Sequence, residues 1–192
     1  MNKILSQKNK LRKILTKKRN NLKRNSQSEF DVKIFNNLKK FINFSKINFV
    51  ASFISIRSEI ATNQLNQKII QMKKILSFPT IVKNKEELVF KKFNYDDELK
   101  LGQFNIFEPI ETNEEIIPQL FFVPCLGFDL DGYRLGYGGG FYDKTFAKLK
   151  QAKHKFYAVG YAFDEQKQSK IPIEKFDYKL DFVLTEKQLY TF

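Results

Sequence analysis

Six of the eight glycines in this 192-residue chain fall between positions 127 and 140, and four of them, Gly136, Gly138, Gly139 and Gly140, share five consecutive positions. Glycine lets backbone approach a ligand closely and take positive φ without a steric cost. Successive N–H groups in such a loop form a concave nest for an anion. A helical pattern follows from Phe141, so its free N–H groups and positive dipole end add to that nest. Strand, glycine loop and helix together are a phosphate site in physical terms. Arg134, at the head of "RLGYGGGFYD", can donate a fork of hydrogen bonds to phosphate. Asp143, just after the loop, can hold Mg2+, which takes one or two carboxylates with phosphate oxygens and water. The loop is not a Walker A motif, because Asp143 precedes Lys144 where a glycine is required, and G-Y-G-G-G does not spell GxGxxG. The residues read as a nucleotide-phosphate site. A plain turn is the alternative, and it gives Arg134 and Asp143 nothing to do.

Other reactive groups are few. Cys125 is the only cysteine, which excludes an internal disulfide and a cysteine-based zinc site, and its apolar surroundings read as core. His154, the only histidine, stands between Lys153 and Lys155 and reads as a solvated loop residue. Histidine-driven acid–base catalysis, including a Ser-His-Asp triad, would rest on that one group.

The net charge of +13 is concentrated in residues 1–46, which carry 14 basic residues against Glu29 and Asp31, while the remainder is almost neutral. A basic helical arm can bind RNA, face an anionic ligand, or be plain solvated surface. The start "MNKILSQKNKLRK" lacks a long apolar core, and no run of about 18 apolar residues occurs. A soluble, cytoplasmic protein with no membrane or nucleic-acid partner, monomeric and of one domain over 1–192, is the expectation.

The elements that position the loop follow from periodicity. Ile4, Leu11, Leu15 and Leu22 form one stripe of a basic helix, and Phe30, Ile34, Leu38, Phe41 and Ile42 predict the inner face of a second. Ser26 and Glu29 between them fit a capping box. "INFVASFIS" reads as a strand covered on both faces. A helix from about Thr62 turns Leu65, Ile69, Ile70 and Met72 inward, and "KKILSFPTIV" and "ELVFKKF" are two more strands. Asn94 to Gln119 reads as an irregular surface connection. "QLFFVPCLGFD" is a buried strand leading into the glycine loop, Phe141 to Gln151 a short helix, "KFYAVGYAF" a strand and "DFVLT" the last one. Alternation of helices with apolar strands predicts a three-layer α/β/α sandwich with a mostly parallel sheet. Ligands in such sheets sit beyond the carboxyl ends of the strands, where the glycine loop falls.

The stretch "FFVPCLGFDLDGYRLGYGGGFYDKTF" resembles the signature of the 5-formyltetrahydrofolate cyclo-ligase family, and the likeness runs over nearly the whole chain. Lys8, Leu11 and Arg12 match its basic helix, "FISIRSEIAT" its strand with a following glutamate, Glu108 and Pro109 its "EP" pair, and "IPIEKFDYKLDFVLTE" its ending. The resemblance implies ATP-driven ring closure of 5-formyltetrahydrofolate to 5,10-methenyltetrahydrofolate. Carried over by position, Lys8 and Arg12 would reach ATP, and Arg134, Leu135, Gly136, Tyr137, Gly138, Gly139, Gly140, Phe141 and Tyr142 would wrap its phosphates. Asp143 and Asp177 would be Mg2+ ligands. Ile54 and Glu59 would meet the folate, together with Tyr137 through Phe141. Many family members carry Arg where this chain has Tyr137, so its loop has one cation fewer.

Overall fold

The computed structural model describes residues 3–25 and 31–192. In its first half lie α1 (Lys3–Asn25), α2 (Val32–Phe41), β1 (Phe49–Ala51), α3 (Asn63–Gln71), β2 (Ile75–Thr80), β3 (Val89–Lys92), β4 (Leu99–Leu101) and β5 (Phe107–Pro109). The second half holds β6 (Glu115–Ile116), β7 (Leu120–Pro124), β8 (Gly127–Phe128), β9 (Arg134–Leu135), α4 (Phe141–Gln151), β10 (Tyr157–Tyr161), β11 (Phe182–Leu184) and β12 (Leu189–Thr191). The main sheet has the order β12-β11-β10-β7-β1-β2-β3-β6. Its five central strands, β11 to β2 in that order, are parallel, whereas β12, β3 and β6 join antiparallel at the edges.

Strand β7 shows why the sheet needs cover on both sides. Alternate side chains of a strand point to opposite faces. Leu120 and Phe122 enter one apolar cluster with Phe35 and Leu38 of α2 and Leu65 and Ile69 of α3. Phe121 and Val123 enter a second cluster with Phe146 of α4. The layers are therefore α2 and α3, sheet, and α4, as the alternating pattern predicts. Truncating Phe121 or Phe122 to Ala would cost about 3–5 kcal/mol, the usual range for a buried aromatic.

Helix α1 docks apart from these layers. Its Leu15 forms a small cluster with Leu126, Leu135 and Ile171. Lys8 and Arg19, at helical spacing on either side of Leu15, are also buried. The inner face of this helix is thus half ionic, which the leucine stripe alone does not reveal.

Four local expectations need correction. Phe41 is 59% exposed, because α2 begins at Val32 and turns Phe35 and Leu38 inward. Asp31 caps this helix, accepting from the backbone N–H of Lys33 and Ile34; Ser26, Glu29 and Phe30 lie outside the described residues. Asn94 to Gln119 is structured: β4 and β5 form a hairpin, β6 extends the main sheet, and buried Glu108 accepts from Ile81 N. "DFVLT" is followed by β12, whose register pairs Phe182 with Thr191. His154 is half-buried, with Nε2 2.8 Å from the Pro118 carbonyl oxygen.

Candidate active site

The glycine loop leaves the sheet through a small hairpin. β8 pairs with β9, and their turn is organised by buried Asp129, whose carboxylate accepts from the backbone N–H groups of Asp131, Tyr133 and Ile171. Beyond Leu135 the backbone bends away at Gly138 (φ +113°) and Gly140 (φ +68°), both in the range that favours glycine. Gly140 is the N-terminal cap residue of α4, and no side chain caps the helix. Its first N–H groups therefore face the loop unshared by any side chain.

Arg12 fastens α1 to this loop. Its Nε donates to the Gly136 carbonyl at 2.9 Å. A Cβ placed on Gly138 would lie 3.3 Å from the Arg12 guanidinium carbon. Lys8, four residues earlier, is buried and donates to Glu174 Oε2 at 2.9 Å and to Asp177 Oδ2 at 2.5 Å. Asp177 Oδ2 also accepts from Glu174 N. The segment around Asp177 is thereby tied to α1, and its carboxylate faces Lys8 rather than Lys175 or Lys179.

Arg134 is buried, and its fork is engaged within the protein. One nitrogen donates to the Tyr178 carbonyl at 3.0 Å and the other to Asp143 Oδ1 at 2.8 Å. Tyr178 N donates to the same Asp143 oxygen at 2.9 Å. Asp143 and Asp177 are thus joined through Tyr178. No described hydrogen bond uses Asp143 Oδ2. Among the described residues no three His, Cys, Asp or Glu side chains gather into a protein-only metal cage. Mg2+ takes one or two carboxylates with phosphate oxygens and water, and Asp143 Oδ2 is an oxygen of that chemistry.

The rest of the predicted set divides. Leu135 is buried against Leu15, and its carbonyl accepts from the backbone N–H of Leu126. The ring of Phe141 packs over Gly139, where an added Cβ would lie 2.7 Å from it. Tyr142 packs into the second cluster with its hydroxyl buried and without a partner, and burial raises its phenol. Ile54 leans partly buried on the main cluster. Glu59 is buried, and its Oε2 accepts from Ile56 N at 2.9 Å. Tyr137 is exposed overall, yet its hydroxyl accepts from Arg19, and burial together with the Glu59 carboxylate raises its phenol. Two residues escaped the sequence reading. Glu174 carries no spacing signal, whereas Arg19 sits four residues after Leu15 and could have been found on the helical wheel.

Comparison with known proteins adds to this geometry. Residues 4–186 match the model of the 5-formyltetrahydrofolate cyclo-ligase family. A Haemophilus influenzae 5-formyltetrahydrofolate cyclo-ligase is 32% identical over 140 residues, 70% of this chain and 74% of the relative. The Mycoplasma genitalium protein of that name is 30% identical over 92% of this chain and 96% of its own. The NMR structure of Aquifex aeolicus 5,10-methenyltetrahydrofolate synthetase superposes with a TM-score of 0.75 at 30% identity, covering 96% of this chain and 92% of that one.

Proposed function

The chain belongs to the 5-formyltetrahydrofolate cyclo-ligase family, and we propose that it closes 5-formyltetrahydrofolate to 5,10-methenyltetrahydrofolate with consumption of ATP and release of ADP and phosphate. The observation that carries this reading is the docking of α1 on the glycine loop through Arg12 and Gly136, 124 residues apart in sequence. It brings Lys8 and Arg12, the glycine backbone, the start of α4 and Asp143 into one region, as an enzyme binding a nucleotide phosphate requires.

In the proposed reaction the formyl oxygen takes the γ-phosphoryl group of ATP, which breaks the bond to ADP. N10 then attacks the activated carbon, its proton is lost, and the carbon–oxygen bond breaks to release phosphate. Amide oxygen is a poor leaving group and phosphate a good one, so the nucleotide supplies what the ring closure lacks. Phosphoryl transfer asks the protein for positioning and charge stabilisation more than for a base. Here the glycine N–H groups and the helix start would receive phosphate oxygens, Arg12 would add positive charge at the loop, and Lys8 would hold Asp177 beside it. Asp143 would ligate Mg2+, which neutralises developing phosphate charge when bound. Glu59 would accept from pterin N–H groups, with the Phe141 ring beside the substrate.

The test is an absorbance assay for methenyl product from 5-formyltetrahydrofolate, Mg2+ and ATP. Product is expected only when ATP is present. Equal rates without ATP would overturn the mechanism.

A further inference from the structure

Arg19 is among the most deeply buried charged groups of the described residues, 1% exposed on a helix otherwise rich in solvated lysines. Burying a guanidinium is costly unless its donors are met, and here they are met by three segments distant from α1 in sequence. Nε donates to Ser58 Oγ at 3.2 Å, and Ser58 Oγ donates in turn to Asn20 Oδ1. One terminal nitrogen donates to the Cys125 carbonyl at 3.2 Å and lies 3.9 Å from Glu59 Oε1. The other donates to the Tyr137 hydroxyl, and the guanidinium carbon stands 5.4 Å from the centre of that ring. The group therefore joins α1, the turn after β1, the end of β7 and the glycine loop.

Its place along α1 is informative. Arg12 touches the glycine loop at Gly136, and Arg19 lies seven residues on, about 10 Å at 1.5 Å per residue. One helix thus meets the phosphate end of the site with Lys8 and Arg12, and the Glu59 end with Arg19. We propose that Arg19 is a positioning residue for the folate half of the site, holding Glu59 and the Tyr137 hydroxyl in fixed relation. The proposal rests on the reading that Glu59 and Tyr137 face the folate. Arginine is needed because its planar fork meets several acceptors at once, whereas a lysine ammonium is a single point of charge.

The test separates the two substrates. Apparent constants for 5-formyltetrahydrofolate come from initial rates, and ATP binding is measured by calorimetry without folate. Arg19→Lys is expected to raise the folate constant about tenfold or more, the worth of a charge-assisted hydrogen bond, with ATP affinity within about twofold of wild type. Tyr137→Phe removes only the hydroxyl that accepts from Arg19 and should raise the folate constant in the same direction. The double variant should cost less than the sum of the two single variants, since the two groups share a contact. Equal losses for ATP and folate, or additive losses in the double variant, would overturn the positioning role. Should Arg19→Lys fail to fold, Tyr137→Phe decides, and an unchanged folate constant rules the role out. A wild-type protein that makes no methenyl product defeats the underlying functional reading instead, and the inference falls with it.

Discussion

The two carboxylate oxygens of Asp143 are placed differently in this geometry. Oδ1 accepts from Arg134 and from Tyr178 N, which fixes the carboxylate at the start of α4. Oδ2 is turned to no described partner, and on the proposed reading it would meet Mg2+. Asp143→Asn preserves an acceptor for Tyr178 but removes the charge that a divalent cation needs. Turnover is expected to fall about a hundredfold, roughly 3 kcal/mol of lost transition-state stabilisation. The melting temperature should drop modestly, because buried Arg134 keeps its bond to the Tyr178 carbonyl. A magnesium titration of the residual activity is the deciding measurement: the apparent magnesium constant should rise markedly. An unchanged constant would refute the ligand role. Asp177→Asn should move that constant less, since Asp177 Oδ2 is already engaged by Lys8 and Glu174 N. Arg134 teaches the complementary lesson. Its residue type suggests a phosphate donor, and within the protein the fork donates to the Tyr178 carbonyl and to Asp143; no sequence spacing discloses that Tyr178 would supply that carbonyl.

Helix α1 works as one element because its contacts recur at helical spacing: Lys8, Arg12, Leu15 and Arg19 all point inward. The apolar stripe made the helix itself legible, and the spacing of Lys8 to Arg12 placed both on one side. What the stripe could not tell is that buried ions share the inner face, since burial of Lys or Arg depends on partners distant in sequence. Arg12→Ala removes a guanidinium beside the loop and should weaken ATP binding about tenfold to a hundredfold, from 1.5–3 kcal/mol for a charge-assisted hydrogen bond. Lys18→Ala, on the exposed side of the same helix, should change it little. Equal, slight losses in both would mean the helix acts only as a diffuse positive field. Gly138→Ala tests the contact from the other side. Its φ of +113° strains any side chain, and the new methyl would press on the Arg12 guanidinium. ATP affinity should fall with that substitution too, as measured by calorimetry, and a loop that binds ATP normally as Gly138→Ala would disprove the docking role.

At the scale of the molecule, the layers were readable because β7 and its neighbours are apolar on both faces, and the helices between them are amphipathic. The β4–β5 hairpin and β6 were not readable, as their short strands are stabilised by partners such as Ile81 for Glu108 rather than by their own pattern. The tight packing around the central strands also makes a prediction about alkaline pH. Cys125, 2% exposed beside β7, has its thiol pushed by burial from 9.0 up to about 12. The folded protein therefore keeps a proton that the unfolded chain releases above about pH 9. The associated stability is fully present below that pH and is lost as pH rises toward about 12, at about 1.4 kcal/mol per unit. Cys125→Ala removes the titrating group while leaving the tyrosines, whose own losses then cancel in the comparison. The variant should be less stable than wild type at neutral pH, through the small cavity it leaves. Urea unfolding of both proteins should show that gap narrowing by about 1.4 kcal/mol between about pH 8 and pH 10, since only wild type pays the thiol's alkaline cost. A gap that stays constant across that range would mean the thiol titrates alike in the folded and unfolded chains, and the strand end would then be open to water.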